Sequence, residues 1–224
     1  MKISVRSAFE QPSAQSEATV FIDVFRAATT LCYLLRYGAG EVVGAQDAAR
    51  ISQYRKKGYI LVSEIMAGGL DNSPSAILAL KEPQGRFIHS TGNFTAAVFA
   101  NPGFKTAIAA AFVNAGAAAR YLLARRFGSV ELVMCGYYKA GLPAVEDAAC
   151  AQMLCRLLRA EAFSLASCLP EITRDIETRR KSGIAYPHAY WRDVELALRC
   201  DTAEVVPVIR RLTPDTIGFF KHQQ

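Results

Sequence analysis

Residues 18–40 read ATVFIDVFRAATTLCYLLRYGAG. The first five are apolar and rich in β-branched and aromatic side chains, which predicts a short buried strand. Asp23 and Arg26 interrupt the apolar run where that strand ends. Residues 27–37 then have helical composition, and Gly38 and Gly40 stop them. A fully apolar strand leading directly into a helix is the unit of a parallel sheet covered by helices.

The same order recurs along the chain. Glu41–Gly44 predicts a strand, Asp47–Lys57 an amphipathic helix and Tyr59–Ser63 a strand. Asn72–Ser73–Pro74 starts a helix, with a polar cap followed by Pro at the first helical position. Arg86–His89 predicts a strand, Phe94–Ala100 a helix and Asn101–Pro102–Gly103 a turn. The second half of Lys105–Val113 predicts a strand, Asn114–Arg126 a helix, Ser129–Cys135 a strand and Pro143–Ala160 a long helix. The expected fold is a single α/β domain over residues 1–224, a three-layer α/β/α sandwich with a mostly parallel sheet. Residues 171–224 form its helical C-terminal portion. One late strand, Glu204–Ile209, packs on that portion, and Pro207 inside it suggests an edge position.

The chain has 224 residues, 51% of them apolar and 21% charged, which excludes a disordered or fibrous chain. A domain of this length buries roughly 70% of its unfolded surface and needs no disulfide or metal to fold. Lys and Arg number 26 against 20 Asp and Glu, a net charge of +6. The basic residues are scattered, with no block of five and no aromatic-studded basic motif. A small anionic ligand, or a merely solvated basic surface, is favoured over nucleic acid or a membrane. The six cysteines, at 32, 135, 150, 155, 168 and 200, lack the C-x-x-C spacing. They read as reduced thiols of a cytoplasmic protein. The N-terminal residues have no apolar core of the kind a signal peptide needs, and no apolar stretch reaches membrane-spanning length.

In an open parallel sheet, ligands bind beyond the carboxyl ends of the strands. Asp23 and Arg26 follow the first strand of this series. Glu64 follows YILVS, and Ser90–Asn93 follow RFIH. Asn114 follows AAAFV. Gly136 and the loop 137–141 follow ELVMC and lead to Glu146 and Asp147. The carboxylates of Asp23, Glu64, Glu146 and Asp147 suit a hard oxygen-loving cation such as Mg2+. Arg26 beside a helix start suits phosphate or sulfonate. Structural alternatives exist for each. Asp23, Glu146 and Asp147 would all complement a helix dipole, and Asn72, Ser73 and Asn114 would cap helices.

Other patterns carry less. Cys150 and Arg156 have cysteine-phosphatase spacing, but in an apolar, glycine-free stretch that reads as mid-helix. Cys150 and Cys155 would point about 140° apart on a helix. His89, His188 and His222 show no ligand spacing, and no G-x-G-x-x-G follows the first strand.

At these same residues the chain resembles the 2-phosphosulfolactate phosphatase family. The resemblance lies in FIDVFRAATT (21–30), LDNSPSA (70–76), HSTGNFTAA (89–97), FVNAGAAARYL (112–122), CGYYKAGLPAVEDAACA (135–151) and DVELALRCDTAEVVPVI (193–209). It implies an α/β/α enzyme, a homodimer, that uses Mg2+ to hydrolyse a small phosphorylated anion, the phosphate monoester of sulfolactate. Carried over by motif, Asp23, Arg26, Glu146 and Asp147 are the implied catalytic groups. Arg26, Asn72, Ser73, Thr91, Asn93 and Asn114 would bind substrate, and Asp23, Glu64, Glu146 and Asp147 would bind the metal. The chain departs from the family pattern in the reversed Asn–Gly order at Gly92–Asn93, in a short loop between Glu64 and Asn72, and at two charge-changing positions. Thr95 stands in place of an arginine in the Thr-Asn-Gly-Thr-Arg run, and Asp71 stands in place of the glycine before Asn-Ser-Pro. A non-catalytic small-anion-binding protein on the same scaffold is therefore the second expectation, and a nucleotide-binding α/β protein the third.

Overall fold

The computed structural model describes residues 1–11, 16–81, 83–181 and 190–222. His188 lies outside them. In chain order the strands are β1 (Lys2–Ser7), β2 (Ala18–Ile22), β3 (Glu41–Gly44), β4 (Ile60–Val62), β5 (Arg86–His89), β6 (Thr106–Ala110), β7 (Ser129–Met134), β8 (Pro207–Thr213) and β9 (Thr216–Lys221). The helices are α1 (Ala27–Arg36), α2 (Ala48–Lys56), α3 (Pro74–Leu78), α4 (Phe94–Ala100), α5 (Ala115–Ala124), α6 (Val145–Leu158), α7 (Leu169–Lys181) and α8 (Tyr190–Ala197). Among the described residues, no helix is long and apolar enough to cross a membrane.

All nine strands join one mixed sheet in the order β1-β7-β2-β6-β8-β9-β3-β5-β4. The β1–β7–β2–β6 and β3–β5–β4 blocks are parallel within themselves. The pairings β6–β8, β8–β9 and β9–β3 are antiparallel. The sheet is thus mostly parallel, as expected, but its two parallel blocks run in opposite directions, because three successive antiparallel steps separate them.

Residues 207–221 form two strands, not one. The turn Thr213-Pro214-Asp215-Thr216 joins them, with Pro and Asp supplying the turn chemistry. This hairpin lies inside the sheet, not at its edge. Pro207 is tolerated because it is the first residue of β8, where the missing N–H removes little from the ladder. Two further differences concern the N-terminal half. β1 is an extra edge strand whose half-exposed pattern gave no apolar run. β6 begins at Thr106, so the strand falls earlier in the alanine-rich stretch than its second half. The expected helix start at Ser73 is present, with its hydroxyl accepting the Ala76 N–H.

The core explains the rest. β2 is buried along its whole length. Phe21 meets Phe94 of α4 and Phe104 edge-on, at ring-centre distances of 6.5 and 5.9 Å. α1 carries no charged residue before Arg36 and is buried from Ala27 to Leu35, so it is covered on every side. On β3, a Cβ at Gly44 would lie 2.8 Å from Ile217 of β9. The absence of that atom lets the hairpin close onto the second parallel block.

The register levels the strand ends. Ile22 of β2 pairs with Ala110 of β6 and Met134 of β7, so Asp23, Ala111 and Cys135 share one rim. In the other block, His89 of β5 pairs with Gly44 and Val62. The chain then returns after β4 so that Leu70 bridges Val62, which puts Asp71 beside the end of that strand. β2 and β4 are six strand spacings apart in the order, about 29 Å in a flat sheet. Yet Arg26, just beyond β2, bonds Asp71 at 2.7 Å. The sheet therefore curls strongly enough to bring the carboxyl ends of its two opposed blocks together.

Candidate active site

Asp23 stands at the end of β2, 5% exposed. Its Oδ1 accepts the Ala27 N–H at 2.9 Å, so it closes the turn that starts α1. Asp147, in the first turn of α6, joins two neighbouring strand ends. Its Oδ1 accepts the Val24 N–H at 2.8 Å and its Oδ2 the Gly136 N–H at 2.9 Å. Gly136 has φ of +54°, and a Cβ there would lie 2.6 Å from the Leu142 carbonyl, so the loop that reaches Asp147 needs glycine. Glu64, beyond β4, is exposed at the opposite wall. Its Oε1 accepts the Gly92 N–H at 2.7 Å, and its carboxylate also accepts from Asn72.

The charges interact as a group. Burial pushes the Asp23 carboxyl well above its ordinary range, and the charges of Asp147 and Glu64 add to that effect. Burial moves Asp147 to about 7. Glu64 is raised as well, mainly by partial desolvation against the surrounding protein, although its side chain still reaches solvent. Burial and the neighbouring Asp147 push Glu146 upward, against the Arg179 fork that grips it.

Both guanidinium groups of the site are engaged by carboxylates. Arg26 bonds Asp71 through Nη1 at 2.7 Å and Nη2 at 3.2 Å, and bonds Asp193 of α8 through Nη1 at 2.8 Å. Burial alone would lower the Arg26 pKa, but Asp71 and Asp193 outweigh it, so the group is raised and stays charged. Arg179 of α7 reaches both oxygens of Glu146 at 3.1 and 2.6 Å, pairs with Asp175 and bonds the Tyr137 hydroxyl.

Thus Asp23, Arg26, Glu64, Asn72, Glu146 and Asp147 lie in one connected electrostatic cluster. The remaining expected site residues are placed differently. Ser73 caps α3 and donates to Asp193 at 2.8 Å. Thr91 accepts the Thr95 N–H at 3.0 Å, and its carbonyl accepts from Gln46. Asn93 is half-buried at the start of α4 and makes no side-chain cap bond there. Asn114 is fully buried and serves the backbone. Its Oδ1 accepts the Ala111 N–H, and its Nδ2 donates to the Ala109 and Val205 carbonyls.

His89 is fully buried, donates from Nε2 to the Asn72 Oδ1 at 3.1 Å, and is held neutral by burial, with a pKa near 3. A proton-accepting role at neutral pH would need a ring reached by water, and this one is packed against Phe94 and Phe219.

Asp193 and Arg179 are absent from the sequence-based set. Both lie in the charged last third, where an acid at a helix start and an arginine in a basic run carry no distinguishing pattern. Only the burial of each, 0% and 6% exposed, marks them.

The sequence model of one family, 2-phosphosulpholactate phosphatase, matches residues 5–211. The chain belongs to the 2-phosphosulpholactate phosphatase family. The match covers every strand and helix except β9 and the ends of β1 and β8. No curated protein matches the chain. The family is one of phosphatases, which implies a small phosphorylated substrate, and the cluster around Asp23 gathers buried acids beside Arg26 and Arg179.

Mg2+ is commonly held by one or two carboxylates together with waters and substrate phosphate oxygens. Among the described residues, no group of three or more His, Cys, Asp or Glu side chains is arranged to hold a metal ion on its own. The donors present are oxygen-only and their mutual repulsion is incompletely balanced. Such a set fits a hard cation shared with a substrate, not a closed protein cage.

The raised carboxyls fix the sign of the pH response. A carboxyl with a higher pKa folded than unfolded binds more protons in the folded state. Its contribution therefore favours the fold at low pH and is lost as pH rises through the folded value. His89 works the other way, because its ring is neutral when folded and titrates near 6.5 when unfolded, but that opposing contribution fades as pH rises above 6.5. Without divalent cations, unfolding stability is expected to fall between pH 6.5 and 8, by about 1 kcal/mol per pH unit for each titrating carboxyl. Thermal or urea unfolding in chelator across that range checks it, and a flat or rising profile contradicts it.

Proposed function

We propose that this protein is a Mg2+-dependent phosphomonoesterase that hydrolyses the phosphate ester of a small organic acid, 2-phosphosulfolactate or a similar compound. The observation that carries the reading is the convergence of Asp23, Glu64 and Asp147, three carboxylates that form no salt bridge among the described residues, beside the buried Arg26. Family membership supports phosphate as the group acted on.

In this reading Asp23 and Glu64 are the residues that hold Mg2+, and the bound ion supplies charge neutralisation and polarisation of the phosphoryl group. Asp147 holds the ends of β2 and β7 in place through its two backbone bonds and keeps Asp23 directed at the reacting centre. Arg26 stabilises the phosphoryl oxygens as charge develops on them. Asp23 also positions or activates the attacking water. Glu146 acts through Arg179, whose fork it orients, and Asn72 orients Glu64.

The test is phosphate release from 2-phosphosulfolactate and from generic phosphomonoesters, with and without Mg2+. Turnover is expected with the ion and its loss is expected in chelator. Absence of metal-dependent release from every ester rejects the proposal. The engagement of Arg26 by Asp71 favours a second reading, a small-anion-binding protein on the same scaffold. Anion-induced thermal stabilisation without turnover would select it.

A further inference from the structure

The two carboxylates on Arg26 have different surroundings. Asp193 has a side chain with no solvent exposure. It holds Arg26 Nη1, the Ser73 hydroxyl at 2.8 Å and the Ser75 N–H at 3.0 Å, so it is fixed by three donors from two other parts of the fold. The Asp71 side chain is 27% exposed, and Arg26 is its only side-chain partner among the described residues. It meets the guanidinium with both oxygens, in the two-pronged geometry that a phosphate or sulfonate would use on the same fork. One acid therefore anchors Arg26 from below, and the other covers its open side.

We infer that Asp71 is a specificity-determining residue that occupies the oxyanion position on Arg26 and has to be displaced when an anionic ligand binds. The inference rests on the reading of Arg26 as the phosphoryl-binding group. Displacement does not remove the Asp71 charge, because the loop carrying it is tied beside β4 through Leu70 and Val62. The displaced carboxylate stays near the ligand and repels it. That repulsion grows with the number of anionic groups on the ligand, so Asp71 weakens capture of phosphate esters that carry a carboxylate more than of those that do not.

The experiment compares the full-length protein with its Asp71→Asn and Asp71→Gly variants. Inorganic phosphate is titrated calorimetrically, and hydrolysis of glycerol 2-phosphate and 2-phosphoglycerate is followed. The two esters differ by one carboxylate. Phosphate is expected to bind about tenfold tighter or more in both variants. Adding Arg26→Gln to Asp71→Asn should cancel that gain. The ratio of kcat/KM for 2-phosphoglycerate over glycerol 2-phosphate is expected to rise in the same variants.

Weaker phosphate binding in both variants overturns the inference, and would make Asp71 a support for Arg26 and not a competitor. Unchanged binding in the variants alongside turnover by the unaltered protein rejects the role of Asp71 and leaves the phosphatase reading standing. Tighter phosphate binding without turnover by any form does the reverse.

Discussion

Asp193→Ala is expected to lower the stability of the fold by about 3–5 kcal/mol, the range for breaking a buried ion pair by removing one partner. The carboxylate has no solvent exposure and receives three donors, from Arg26, Ser73 and Ser75. Alanine leaves the Ser75 N–H and the Ser73 hydroxyl without that acceptor, at about 1–3 kcal/mol for each group left unsatisfied. It also removes polar bonds that tie α8 to α3. Asp71 would still hold Arg26, but from the exposed side only. Phosphate release should fall with stability, and should fall further at temperatures where the variant remains folded. Urea unfolding gives the first quantity, and steady-state phosphate release below the transition gives the second. A loss of less than about 1 kcal/mol would mean that Asp193 is wet and replaceable, and the anchoring of Arg26 would need another source.

Asp23→Asn should separate stability from activity. Asparagine keeps an oxygen for the Ala27 N–H and removes a charge that burial and Asp147 both oppose. Stability in the absence of divalent cations should hold or rise. Phosphate release should drop about 10³-fold, within the range seen when a group that moves or directs a proton is removed. The apparent affinity for Mg2+ should fall as well, because one of the two proposed carboxylates becomes a neutral amide. Steady-state rates at several Mg2+ concentrations, with an unfolding curve on the same preparation, check both halves. A variant with near-normal turnover would remove Asp23 from the chemistry and leave it as the acid that closes the α1 turn.

Much of this site was legible before the fold was known. Asp23, Arg26, Glu64, Glu146 and Asp147 stand beyond the ends of buried strands in the sequence, and the structure brings them into one cluster. That position is legible because strand ends are local features, marked where an apolar run stops. Asn114 satisfies the same rule, yet its amide is wholly taken up by backbone groups. Position at a strand end does not say which way a side chain is used. Asp193 and Arg179 escaped because burial of a charged residue is a tertiary property. In the sequence they resemble their exposed neighbours.

The direction of the sheet escaped for a related reason. Alternating strands and helices predict parallel pairing within each block. Nothing in the periodicity says that a late hairpin, with its own Pro-Asp turn, will insert between β6 and β3 and reverse one block against the other. That choice is made by contacts between residues more than a hundred positions apart, such as Ile209 with Ala107 and Gly218 with Val43.

The late hairpin also bears on how the protein is made. Until residues 207–221 leave the ribosome, β6 and β3 each present an open edge, and the two halves that supply Arg26 and Asp71 have no strand to join them. A nascent chain in that state exposes pairing surfaces of the kind that invite association with other chains. The cluster that joins Arg26 to Asp71 can then take shape only once β8 and β9 have closed the gap between the two blocks.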